Sequence, residues 1–408
     1  MAKQYIYVAR DSSGNIIKNA VDADSQHTVV ETLQKEGFFV LKIYERKAWG
    51  WHPWDIIDNF TKVGLKLLTL ASRQMSLLIN AGLTIAETLD TVEEQTTNRK
   101  FKKILHKVRM DVQGGETLAR SMRKHPAAFS NFWVAMIHSG EVGGVLDKIL
   151  QRVAKFYENE LELRNKIKSA MVYPSLVVII SIIIILFMFI YIIPQFAEFY
   201  KDFSGGEAQL PELTQKMLEI SEEFRYHWYW YTAIPAVVVV CFWKFRGTKL
   251  GHRVCDPISL KMPIFGPLAR KVAITRFTRT LGTLQESGVP LIEALEVTRD
   301  TSHNIVIARA IDYTRDRIRE GESIHAPMKR TRQFPAMVTN LIAVGEDAGN
   351  LEEMLYKLSD YFDDEIDNTI RGLASLIEPL LIVIIGGIIG VIVVSLYLPI
   401  FNLVNVIK

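Results

Sequence analysis

Laid on itself at an offset of 206 residues, the chain repeats: Arg73 falls on Arg279, Leu78 on Leu284, Gly82 on Gly288, Glu87 on Glu293, Leu89 on Leu295, Gly115 on Gly321 and Glu116 on Glu322. One residue is then dropped. An offset of 205 pairs Phe129 with Phe334, Gly140 with Gly345, Glu141 with Glu346, Gly144 with Gly349, Leu146 with Leu351, Pro174 with Pro379, Pro194 with Pro399 and Phe196 with Phe401. A match of this length constrains the architecture more than any local motif, because whatever one copy folds into the other must fold into as well.

Each copy runs into an apolar segment. Met171 to Ile193 is 23 residues without a charge, and a helix rising about 1.5 Å per residue then spans a hydrocarbon core of about 30 Å. No charge occurs between Pro379 and Ile407 either, so a second such span is expected there. A third candidate, Tyr226 to Trp243, lies between them, bracketed by Arg225 and Lys244 and interrupted by Pro235. Its aromatics (Tyr226, Trp228, Tyr229, Trp230 and Tyr231 at one end, Phe242 and Trp243 at the other) are placed like interfacial belts. Lysine and arginine bias orients the spans. Arg152, Lys155, Arg164, Lys166 and Lys168 precede the first, and Lys244, Arg246, Lys249, Arg253 and Lys261 follow the second, so these flanks belong inside the cell. A single span between two copies would leave the second facing the wrong side, and the unpaired middle span reverses the chain. Duplication and charge bias thus agree on an N-terminus inside and a C-terminus outside.

Composition fits this picture. The apolar 49% is ordinary, but it is gathered into blocks, and the mean hydropathy is +0.13. The 48 basic against 45 acidic residues leave a net charge of +3, which argues against nucleic acid as a partner. Cys241 and Cys255 lack CxxC spacing or a Cys/His cluster, so no disulfide framework and no zinc site are expected. The start, MAKQYIYVARDSSG, has no apolar run behind its early lysine, and is expected to lie in the cytoplasm.

The expected fold class is mainly α: an integral membrane protein with three transmembrane helices, two duplicated cytoplasmic helical bundles and a small N-terminal α+β unit. Residues 1–45 read as a ββαβ unit, with strands in YIYVAR, IIKNAVDAD and FFVLKIYE, a turn over Asp11 to Asn15 and a helix from Ser25 to Lys35. Residues 46–64, with Trp49, Trp51 and Trp54, are a linker; 65–170 form the first helical module, 171–193 the first span, 194–225 a periplasmic loop and 226–243 the second span. Residues 244–375 hold a connection and the second module, 376–400 the third span, and 401–408 a periplasmic tail. Inside the modules, NAGL at Asn80 to Leu83 and ESGVP at Glu286 to Pro290 end helices at a glycine. Leu146, Ile149, Val153 and Phe156 share one face of a long helix leading to the first span, as do Leu351, Met354 or Leu355, Leu358 and Phe362 for the last.

Catalytic signatures are missing. GxxxxGK[ST], GxGxxG, HExxH and GxSxG are all absent. No span carries a mid-depth charge; Glu378 stands at the start of the last one, and Ser175, Ser181 and Ser395 read as backbone-bonded helix residues rather than nucleophiles. No catalytic, cofactor or metal site is therefore expected. The sharpest feature is a pair of turns, Ser139-Gly-Glu-Val-Gly-Gly-Val-Leu146 and Val344-Gly-Glu-Asp-Ala-Gly-Asn-Leu351. One reading is structural: Gly144 and Gly349 allow close approach or positive φ, while Glu141 and Glu346 bond free N–H groups opening the next helix. The other is that both glutamates are exposed and grasped by a partner. Gly386 and Gly390 form GxxxG, a face for another membrane helix of this chain or of another subunit.

The duplicated Gly-Glu-x-x-Gly-x-Leu turns, Tyr173-Pro174 matched by Glu378-Pro379, and the exits Ile-Pro-Gln-Phe and Leu-Pro-Ile-Phe together resemble the F family of type II secretion, inner-membrane platform proteins shared with type IV pilus machines. The resemblance covers nearly the whole chain. It implies a non-enzymatic, oligomeric platform that meets a hexameric secretion ATPase in the cytoplasm and passes its motion to pilin or pseudopilin subunits, among other inner-membrane machine components. Carried across, the motif falls on Gly140, Glu141, Gly144, Leu146, Gly345, Glu346, Gly349, Leu351, Pro174 and Pro379, as coupling or structural positions. A transporter built on a tandem repeat is the alternative, disfavoured by parallel single-span repeats and by the lack of a buried polar site.

Overall fold

The computed structural model describes residues 3–10, 16–23, 30, 39–45, 63–203 and 211–406. It divides into two compact units, 1–62 and 63–408.

In the first unit, β1 (Lys3–Arg10), β2 (Ile16–Ala23) and β3 (Phe39–Glu45) form a sheet of order β2-β1-β3. Both pairings are antiparallel: Tyr7 lies opposite Asn19 on one side and Ile43 on the other, and the register with β3 shifts between Val8 and Ala9. β-branched and aromatic residues in these stretches suit a pleated surface. The expected turn over 11–15, helix over 25–35 and tryptophan-bearing linker lie outside the described residues.

The second unit begins with six helices: α1 (Leu65–Asn80), α2 (Ile85–Gln95), α3 (Arg99–Gln113), α4 (Leu118–Arg123), α5 (Asn131–Gly143) and α6 (Leu146–Phe187). Next come α7 (Ile193–Phe203), α8 (Glu212–Arg246) and α9 (Lys249–Lys261). The first set then recurs as α10 (Gly266–Glu286), α11 (Leu291–Thr301), α12 (Ile305–Arg319), α13 (His325–Thr331), α14 (Ala336–Ala348) and α15 (Leu351–Val406). Helix starts repeat at the sequence offset: Ile85 with Leu291, Arg99 with Ile305, Asn131 with Ala336 and Leu146 with Leu351. Positive-φ glycines repeat too, Gly82 with Gly288, Gly115 with Gly321 and Gly144 with Gly349. The copies differ at three caps: Thr84, Thr117 and Ser130 cap α2, α4 and α5 with their side chains, whereas Pro290, Ile324 and Pro335 stand at the equivalent starts without one. Thr84 and Glu87 form a capping box at α2.

The stripe that carries each long helix into its bundle is buried: Ile149 and Val153 on α6, Leu355, Leu358 and Phe362 on α15. In the first module the core is aromatic. Trp133 is fully buried, with its ring 5.3 Å from both Phe129 and Tyr157, and Phe132 stacks on Phe156 at 3.9 Å. Aromatic side chains of this size dominate the energetics of a small core, each burying about 150–250 Å². In the second module Phe277 meets Phe334 at 4.9 Å.

Two helices, Leu146–Tyr200 and Leu351–Pro399, are long and apolar enough to cross a membrane. Neither is broken by its proline: Pro174 lies inside α6, and Pro379 and Pro399 lie inside α15. A π-helical turn, Met188–Ile192, joins α6 to α7. The two apolar helices run parallel, because Lys166 contacts Asp367 at one level while Ile193 clusters with Ile392 and Leu396 at the other. The segment 194–225, expected as a loop, is largely helical: α7 extends α6 outward and α8 begins at Glu212, well before Tyr226. Its inner side explains why. Met217 and Leu218 pack on the Ile193 cluster, Thr214 donates to the carbonyl of Ser395, and Ser221 donates to that of Phe189 in the π turn. The middle candidate is part of α8, which departs from helical backbone only at His227 and exposes Trp230, Val237 and Trp243.

Candidate functional site

The paired turns are the same object twice. α5 ends at Gly143 and α14 at Ala348, and the chain reverses through Gly144 (φ +66°) and Gly349 (φ +69°), left-handed conformations that cost a side-chain-bearing residue about 1–2 kcal/mol. The reversal sets the following helix against the one just finished. Gly140 is where they touch: a Cβ there would lie 3.0 Å from Cγ1 of Ile149, and one on Gly345 would lie 3.0 Å from the backbone Cα of Leu351. Leu146 and Leu351 open α6 and α15 and pack on the core. These glycines therefore permit contact between consecutive helices.

Glu141 accepts hydrogen bonds from the backbone N–H groups of Leu118 and Ala119, the latter at 3.1 Å. Glu346 accepts from those of Ile324, at 2.8 Å, and His325, at 3.4 Å, and its Oε2 also lies 3.0 Å from Nδ1 of His325. These amides open α4 and α13. The glutamates thus bond the preceding short helix, not the following one as the spacing suggested. The reason is geometric: the first turn of α6 or α15 lies beyond the glycine reversal, whereas α4 and α13 present unsatisfied donors and a positive dipole end to the side of α5 or α14. In α4 the third amide, of Arg120, is served by Thr117 Oγ1, so the first turn is fully bonded.

The remaining sites are dispersed. Pro174 is buried and Pro379 exposed. Gly386 and Gly390 have open space where a Cβ would stand, so nothing in this chain packs on that face among the described residues.

Sequence reading missed the seam between modules. Glu160 on α6 receives both Arg276, at 2.6 Å, and Arg164, at 3.0 Å. Burial by itself would raise the Glu160 carboxyl, but the Arg276 and Arg164 guanidiniums outweigh it and hold the group below the usual carboxylate range. Nearby, burial pushes the Tyr157 hydroxyl up to about 12. Arg152 donates to the carbonyl of Glu286 at 2.7 Å, and Ser139 donates to that of Ser287, so α5 and α6 seat on the α10–α11 turn beside a groove of about 470 Å³. A repeated ion pair was missed as well. Arg73 reaches Glu158 at 3.3 Å and Arg279 reaches Asp363, the repeat equivalent of Glu158. The acids could have been found by extending the offset alignment. Burial dominates at Asp363 and raises its carboxyl despite the guanidinium. No group of three or more His, Cys, Asp or Glu able to hold a metal occurs among the described residues.

Helices with capped turns, each bundle continuing into an apolar span, define a class: a duplicated helical membrane protein whose singular residues serve helix ends and seams. The profile of type II secretion system protein F matches residues 71–194 and 277–399, and that of its N-terminal domain matches 1–44. The chain belongs to the type II secretion system protein F family. The matched stretches are the structural repeats themselves, beginning and ending at repeat-equivalent residues. The type IV pilus assembly protein PilC of Myxococcus xanthus is 37% identical, covering 99% of this chain and 96% of its own. That of Thermus thermophilus is 37% identical over 98% of each. The type II secretion system protein F of Vibrio cholerae is 27% identical over 98% of each.

Proposed function

We propose that this protein is a non-enzymatic inner-membrane platform, coupling a cytoplasmic secretion ATPase to the assembly of a fibre from pilin or pseudopilin subunits. The carrying observation is mechanical: in each repeat the last helix of the bundle, α6 or α15, runs on into the apolar span with no intervening loop. Motion imposed on a module is then delivered into the bilayer by a stiff connection. Pilus assembly is the favoured branch, supported by 37% identity to two proteins named for it against 27% for the Vibrio cholerae secretion protein. The reading includes three spans with α8 as the middle one, both modules in the cytoplasm, the C-terminus in the periplasm, and a homo-oligomeric state. Glu141 and Glu346 act in it by holding α4 and α13 in place as part of the surface offered to the motor.

The test is cross-linking in native membranes followed by purification and mass spectrometry. Co-recovery of a secretion ATPase with major pilins is expected, and pseudopilins in their place would move the assignment to secretion. Recovery of neither from a folded, homogeneous sample would overturn the platform reading.

A further inference from the structure

The two modules of one chain meet head to tail, and the contact leaves one unmatched surface at each end. The first module gives the outer face of α5 and α6; the second gives the α10–α11 turn and one face of α10. Among the described residues, α14 carries the equivalent donor positions of the second module, and α1 with the α1–α2 turn carries the equivalent acceptor positions of the first; neither set bonds the other module. Arg276 on α10 and Ser287 just past its end are covered in the seam, whereas their counterparts Leu70 on α1 and Ala81 just past it are exposed, the leucine by 55%. On the other side Ser139 has Val344 as its counterpart, 55% exposed. Large apolar side chains left in water on two surfaces that are repeat equivalents of a buried contact call for a partner.

We propose that copies of this chain join to one another through the same contact that already joins their two modules, α14 and α15 of one copy seating on α1 and the α1–α2 turn of the next. The proposal deepens the homo-oligomer part of the preceding reading and is independent of which machine the protein serves. Charge supports it. Arg152, which donates to the Glu286 carbonyl, becomes Lys357 facing the Asn80 carbonyl. The spans follow the same rule: Ser181 is buried within the chain while its counterpart Gly386 faces open space, ready for close approach of a neighbouring helix. Because the two apolar helices are parallel, the operation relating one module to the next keeps every copy in the same membrane orientation. A heterologous contact repeated in this way closes into a ring or continues as a row.

The experiment is oxidative cysteine cross-linking of the full chain in native membranes, in a Cys241→Ser, Cys255→Ser background. The double variant Ala81→Cys with Val344→Cys is expected to give a ladder of dimers and higher species, and each single variant none. The pair Ser139→Cys with Ser287→Cys, the same contact inside one chain, should oxidise without a change in mass and shows that the geometry and fold are retained. Leu70→Cys with Glu365→Cys, carried forward from Arg276 and Glu160, is a second, independent pair. Absence of ladders from both inter-copy pairs, with the internal pair oxidised, would overturn the proposal, as would a dimer formed by one single variant alone, which requires a two-fold contact. Ladders without recovery of an ATPase or fibre subunits would uphold the contact and reject the platform.

Discussion

Replacing Glu141 with alanine removes both acceptors from the first turn of α4 and leaves the N–H groups of Leu118 and Ala119 unpaired in partly buried surroundings. Hydrogen bonds to a charged group contribute about 1.5–3 kcal/mol each, and the carboxylate at the helix N-terminus adds about 0.3–1 kcal/mol. Water reaches part of the site, so the low end applies and the loss is about 3 kcal/mol. Glutamine keeps one acceptor oxygen and no charge, for a loss of about 1.5 kcal/mol. At about 1.4 kcal/mol per tenfold, the alanine variant should open α4 locally about 150 times more often. Hydrogen–deuterium exchange by mass spectrometry on the full protein in detergent measures this directly, read on a peptide containing Leu118–Arg123. Glu346→Ala should do the same to α13, with Glu141→Ala leaving α13 untouched. Exchange across α4 that stays within a few-fold of wild type, in a variant that no longer supports fibre assembly, would refute the capping account and make the carboxylate a direct partner contact.

Gly345→Ala forces a methyl group to 3.0 Å from the Leu351 backbone, which cannot swing aside; overpacking of this kind costs about 1–3 kcal/mol and should lower the melting temperature by several degrees. The depressed carboxyl of Glu160 contributes stability that is present above the ordinary carboxylate range and is lost as pH falls through its folded value. Thermal unfolding from neutral to acid pH should therefore show an acid-labile component that Glu160→Gln removes, and persistence of the full pH dependence in that variant would exclude the seam as its source. Cys241 lies in α8, and if that helix is the middle span a membrane-impermeant maleimide should fail to label it in intact cells and in opened vesicles alike, while Cys255 is reached only from the cytoplasmic side. Trp133→Ala should cost about 3–5 kcal/mol and destabilise the first module selectively, as followed by limited proteolysis.

The helices and their stops were legible because they rest on local rules: apolar spacing gave the buried faces of α6 and α15, and glycines with positive φ gave the ends of α1 and α10. Duplication was legible because it is a property of the string itself. The glutamates' partners were not, since Glu141 bonds amides 22 and 23 residues upstream and no periodicity reports that separation. The seam was hidden for a related cause: Glu160 and Arg276 are 116 residues apart and are not repeat equivalents, so neither pattern nor offset pairs them. Helix in the 194–225 segment was missed because polar composition says where a stretch meets water but not whether it stays wound when tertiary contacts hold it, as Thr214 and Ser221 do here.

The two rods are not mechanically alike. α15 is one regular helix of 56 residues, about 84 Å at 1.5 Å per residue, so a tilt of about 5° imposed at its base sweeps its far end through about 7 Å. α6 has the π-helical turn at Met188–Ile192 instead, where the wider winding leaves the Phe189 carbonyl to the Ser221 hydroxyl. The winding of the first rod therefore changes at this one turn, and α8 holds the freed carbonyl there through one hydroxyl. The one regular rod and the one interrupted rod are locked side by side just beyond that turn, where Ile193, Ile392 and Leu396 meet.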